Sequence, residues 1–194
     1  MDEDKKVGST SVSALAARVL LSLLLLKLMS VFIFLAMIII FSAGNAANMS
    51  IGSIVAQILT LILLFAFLYS EFWRAGERDR SGEAFGHIKK DPRKGLKSGL
   101  IGMLPFYASA VLFVIFKIAG SSAFLVFYKY INAEFFPFFY FTLPAGTAIG
   151  KISTVSVIIS ILPLFLAPAI CFGSYAVGHR GYSVREHLVY KKRG

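Results

Sequence analysis

In this chain of 194 residues, 57% are hydrophobic and 15% charged, and several apolar runs reach the length of a bilayer crossing, which excludes a soluble globular domain. The formal net charge of +10 does not indicate nucleic acid, because the bases flank apolar runs and form no separate basic domain with aromatic platforms. The single cysteine, Cys171, lies inside an apolar run, so neither an intrachain disulfide nor a zinc-ligand spacing is available.

Residues 1–12 are polar and mixed in sign, predicting a disordered N-terminal tail before a single membrane domain over 13–178. The first span is predicted over about 19–43. It is longer than the apolar core of a cleaved signal, although Ala43, Gly44, Ala46 and Ala47 keep a cleavage reading open. Lys27 falls inside this span, where a charge is costly unless its stem reaches an interface or a polar interior. An interfacial helix over 12–27 followed by a short span over 28–43 is the alternative; the apolar run from Leu20 to Leu26 favours one tilted helix.

The second span is predicted over about 51–70. Gly52 and Ala56 give it a small-residue face for close helix packing, and Gln57, its one amide, is expected to hydrogen-bond another helix. A charged, glycine-punctuated loop follows over about 71–91, with Asp91 and Pro92 reading as the cap and first residue of the next helix. That third span, over about 92–119, carries Arg93, Lys94 and Lys97 at headgroup level. Gly95, Gly99 and Gly102 fall at i, i+4 and i+7 and predict one continuous packing groove.

Of the eighteen residues over 124–141 ten are aromatic, so the segment over about 121–151 reads as an interfacial or re-entrant element on the side opposite the charged loop. A fifth span there would separate the basic tail from the basic loop. Pro144, Gly146 and Gly150 mark the turn into the fourth span, over about 152–177, which contains Pro163 and Pro168. In the basic tail over 179–194, Ser183 and Glu186 form a capping box that predicts a short interfacial helix ending near Tyr190.

Sixteen of the twenty Lys and Arg residues lie in the N-terminal segment through Arg18, in the stretch over 71–98 or in the C-terminal tail, which predicts four transmembrane helices with both termini cytoplasmic. Catalytic groups are scarce. His87 follows Glu83 at helical spacing but has no third metal ligand, and the glycines do not match a phosphate-binding loop, so no catalytic residue, metal or cofactor is predicted. No acid lies inside any of the four spans, which argues against ion coupling.

The expected function is a non-enzymatic accessory or scaffold module. Its basic face would contact anionic lipid, a membrane-protein partner or a second copy through Lys89, Lys90, Arg93, Lys94, Lys97, Arg180, Arg185, Lys191 and Lys192. The alternative is a small channel or carrier subunit that uses helices broken at Pro105, Pro163 and Pro168.

The stretch from Trp73 to Gly76, then Asp79, Arg80, Gly86, the run from Lys94 to Gly99 and Pro105, resembles small multi-span membrane proteins predicted from Gram-positive bacterial genomes. The ending from Tyr175 to Ser183 and from Tyr190 to Lys192 is similar to them too. That resemblance covers about half of the chain and implies a bacterial cytoplasmic membrane, with no activity attached.

Overall fold

Helices account for most of the residues that the computed structural model describes, which are 10–41, 46–143 and 149–181, and no strand occurs among them. α1 (Val12–Phe41) starts where the Ser11 hydroxyl accepts the Ala14 amide at 3.1 Å, a hydrogen bond that satisfies one of the orphan donors of a helix start. It runs unbroken for 30 residues, about 45 Å of rise. The single long helix therefore holds, and the separate interfacial helix over 12–27 does not form.

α2 (Ala46–Ala84) continues for 39 residues, about 58 Å, well past the thickness of a bilayer core. This corrects the expected loop over 71–91: residues through Ala84 are helical, and only the stretch before Lys94 connects α2 to the next helix. The glycines in this stretch had suggested turns. Yet the residues up to Ala84 are largely good helix formers without proline, and Gly76 and Gly82 turn out to be packing positions, while Gly86, at φ +72°, does make the expected turn after α2.

α3 (Lys94–Gly102) begins two residues later than expected, after a turn in which the Asp91 side chain accepts the Arg93 amide at 3.1 Å. Beyond Met103 the chain continues as α4 (Leu104–Ile118), bent 52° from α3. Pro105 supplies the cause, since it has no N–H for the carbonyl of Ile101 one turn back.

The aromatic segment folds as α5 (Ala123–Ile131), a 3-10 turn over Ala133–Phe135 and α6 (Phe136–Thr142). At nine and seven residues, neither helix is long enough to span. Together they form a wedge. α5 packs on α4, the turn on α1, and α6 on α2. Tyr128 stacks on Phe113 with ring centres 4.4 Å apart, and Phe34 meets Phe136 edge-on at 5.0 Å. Gln57 of α2 accepts the backbone amide of Phe138 at 3.0 Å and so satisfies an orphan donor in the first turn of α6. The expected bond from Gln57 to another helix is thus present.

α7 (Thr154–Ile161) is capped by Ser153, whose hydroxyl accepts the Ser156 amide at 3.0 Å. A 3-10 turn over Leu162–Phe165, with Pro163 in it, leads into α8 (Leu166–His179), where Pro168 occupies the first turn and costs no helical hydrogen bond.

Three stretches (Val12–Phe41, Asn48–Ala84 and Thr154–His179) are long and apolar enough to cross a membrane, and α3 with α4 makes a fourth if the bent pair is one span. Their outer surfaces carry Phe32, Ile39, Val111, Ile115 and Leu162 exposed, while Leu15, Val19, Leu23, Leu64, Leu68, Phe106 and Phe113 fill the core. Apolar residues on both the inside and the outside of a bundle are what a lipid-facing protein needs and a water-facing one avoids. The predicted tail helix near 184–190, with Arg185, Lys191 and Lys192, and the turn residues Pro144 and Gly146 lie outside the described residues.

Candidate functional site

The last third of α2 sorts its charges by face. Phe72, Ala75, Gly76, Asp79 and Gly82 are buried at helical spacing, with Glu71 and Glu83 at the edge of that face, whereas Arg74, Arg78 and Arg80 are exposed. The three inward acids between them hold α1, α3 and α8. Glu71 accepts from Arg18 of α1 at 2.9 Å, Asp79 accepts from Lys94 of α3 at 2.5 Å and from the Tyr175 hydroxyl of α8 at 2.8 Å, and Glu83 pairs with His179 of α8 at 2.9 Å. The helix expected to be a flexible connector is a clamp on the charged end of the bundle.

Asp79 and Lys94 have side chains only 3% and 7% exposed, so neither charge is open to solvent. Lys94 is therefore not a surface contact for lipid or a partner; its ammonium is taken up inside the protein, where an unpaired charge would be costly. Beside this pair lies a cavity of about 230 Å³ whose wall includes Ser11, Lys89, Asp91 and Tyr175.

The helices can come this close because of glycine. A Cβ on Gly76 would meet the Tyr175 carbonyl, and one on Gly178 would meet the Trp73 carbonyl, so α2 and α8 cross with backbone against backbone. On α3, a Cβ at Gly95 would lie 2.6 Å from the Tyr175 Cβ, and one at Gly99 would lie 2.8 Å from the Pro168 Cα, both on α8. Gly102 instead faces Val19 of α1 at 2.7 Å. The predicted single groove is thus divided between two helices of the same chain and is already filled. Gly52 likewise packs on Met37 and Phe41 of α1.

What remains on the surface is a smaller set of bases. Lys89, Lys90, Arg93 and Arg180 are exposed, and none has an ion-pair partner among the described residues. Lys97 is exposed too but donates to Asp91 at 2.8 Å, and that bond holds the Asp91 carboxyl below its ordinary range. Lys90, Arg93 and Arg180, with Phe172, Tyr175 and His179, line a groove of about 420 Å³ between the connection to α3 and the end of α8. Gly181, at φ +72°, ends α8 in the left-handed conformation that suits glycine, and so places Arg180 at the groove.

Sequence reasoning named all four of these free bases, but in one group with the buried Lys94, and missed the groove and its aromatic wall. The sequence reading set Glu83 beside His87, and only the fold shows that Glu83 pairs with His179, 96 residues away. Among the described residues no group of three or more His, Cys, Asp or Glu side chains is placed to hold a metal ion. Comparison with protein-family models, curated proteins and solved structures finds no match, which leaves the chemistry of these side chains as the ground for a function.

Proposed function

We propose that the chain is a non-enzymatic multi-pass membrane protein whose basic end lies at the cytoplasmic headgroup layer and binds anionic phospholipid there. The observation that carries this reading is the groove lined by Lys90, Arg93 and Arg180. Its cations can meet a phosphate, with guanidinium groups supplying paired donors, while Phe172 on its wall is exposed for an acyl chain. Bases at a membrane edge also serve orientation alone, but orientation does not require them to converge on one cavity with an aromatic wall. The wedge of α5 and α6 then lies toward the opposite side as a re-entrant element.

Native mass spectrometry of the detergent-extracted protein provides the test. Phosphatidylglycerol is expected to remain bound where phosphatidylcholine is lost, and the double substitution Arg93→Gln with Arg180→Gln should reduce its retention by about tenfold. Equal retention of both lipids, or retention unchanged in the double variant, counts against the reading. Arg74→Gln with Arg78→Gln, on the exposed face of α2 away from the groove, serves as the charge-matched control.

The channel or carrier alternative keeps one supporting observation, the 52° bend at Met103 beside Pro105. The other two prolines weaken it: Pro168 is packed against Gly99, and Pro163 sits in a short 3-10 turn within an otherwise continuous stretch.

A further inference from the structure

The 3-10 turn of the wedge carries a carboxyl group deep in the bundle. Its Ala133 carbonyl accepts the hydroxyl of Ser30, a fully buried residue of α1, at 3.0 Å. Ser30 stands twelve residues beyond Arg18 and eleven before Phe41, so the turn meets α1 about 18 Å of helix rise from the charged end, near the middle of an apolar span. An acid absent from every span is in this way delivered to mid-depth by the segment between them.

Glu134 is completely buried, and neither of its carboxylate oxygens has a hydrogen-bond partner among the described residues. Two positions earlier, Asn132 is completely buried as well. Its amide nitrogen donates to the Ser109 hydroxyl at 3.0 Å and to the Tyr128 carbonyl at 2.9 Å, which fixes the side chain and leaves its Oδ1 without a donor. Three acceptor oxygens within three consecutive residues thus lack donors, in a place where an unsatisfied acceptor is costly and an unpaired charge more so.

The ionisable groups around Glu134 are few. From α1, Lys27 attracts it, with its ammonium 5.2 Å from the centre of the Phe106 ring; on α5, Tyr128 feels the charge of Glu134 but donates its hydroxyl to the Ser160 carbonyl, and Lys129 donates to the Leu143 carbonyl. α2 has no acid or base from Ala46 to Ser70 other than Tyr69, and α6 has only the exposed Tyr140. A metal cation is disfavoured beside Lys27. A proton satisfies the site better: it removes the buried charge and turns one acceptor into a donor.

We propose that Glu134 is a proton-binding site at mid-depth of the bundle, with Lys27 as the counter-charge that takes over when the proton leaves. In the protonated form the neutral carboxyl sits beside the ammonium on Phe106. Release of the proton to solvent leaves a carboxylate, and the flexible Lys27 stem swings from the ring to meet it. The exchange changes how α1 is held to the wedge at Ser30 and so links their contact to proton uptake. It is independent of lipid binding at the charged end.

Infrared spectroscopy of the full chain in lipid nanodiscs tests this directly. A protonated-carboxyl C=O band is expected at neutral pH, disappearing as pH rises, and absent in Glu134→Gln. Lys27→Met should move the midpoint of that loss upward by about one pH unit, because the positive neighbour that favours the carboxylate is gone. If Glu134→Gln does not fold, Glu134→Asp serves, since it must shift the band in frequency. A static Glu134–Lys27 ion pair predicts no such band at neutral pH. That result, a band unchanged by both Glu134 substitutions, or a midpoint indifferent to Lys27→Met would overturn the proposal.

Discussion

Asp79 is the residue on which the charged end turns. One of its oxygens takes the Lys94 ammonium of α3 and the Tyr175 hydroxyl of α8 together, so a single carboxylate on α2 ties three helices. Removing it leaves Lys94 buried without that partner, and Asp79→Ala is expected to cost about 3–5 kcal/mol of stability. Tyr175→Phe removes one hydrogen bond to a charged group and should cost about 1.5–3 kcal/mol. The measurement is the unfolding equilibrium in mixed detergent micelles; the account fails if Asp79→Ala is no more damaging than Tyr175→Phe. Residue-scale chemistry was partly legible in the sequence. Asp79 and Lys94 could be seen as charges near a membrane, but sequence spacing carries no information on which base turns inward.

Among the elements, the contact of α2 with α8 is set by Gly76 and Gly178, each backed by the backbone of the other helix. Gly76→Ala must push the two helices apart and so strain the Asp79–Tyr175 and Glu83–His179 contacts together. We expect a loss of more than about 2 kcal/mol, at the level of an overpacked core. Gly173, also on α8, has open space where a Cβ would go, and Gly173→Ala should be neutral or stabilising by up to about 1 kcal/mol. Equal outcomes for the two substitutions, read as thermal midpoints in the same detergent, would refute the close-crossing argument. The apolar run of α1, the break at Pro105 and the amide bond from Gln57 were readable beforehand, because hydropathy, proline and a lone buried amide act locally; the start of α1 at Val12, ahead of the expected 19, and the division of the expected span over 152–177 into α7, a 3-10 turn and α8 were not. The helical character of 71–84 was not, since glycine in a charged run signals a turn and a close helix contact equally well.

For the whole molecule, three to four helices long and apolar enough to span leave the direction of insertion to the distribution of charge. The proposed topology predicts that a reporter active only outside the cytoplasm is silent when fused at Phe85 and active when fused at Gly146. The reverse pattern would invert the assignment of the basic end. Length and composition, being properties summed along the chain, were enough to indicate several apolar helices of spanning length and the basic character of one end, but not whether the bent α3 and α4 make one crossing. Only the tertiary structure decided that Lys94 is clamped while Lys90, Arg93 and Arg180 converge on a groove, that the α3 glycines are already occupied, and that Glu134 is buried in a turn packed on α1. The physical reason is that burial and pairing depend on contacts such as Asp79 with Tyr175 or Ser30 with Ala133, formed between segments about a hundred residues apart, and no local pattern records them.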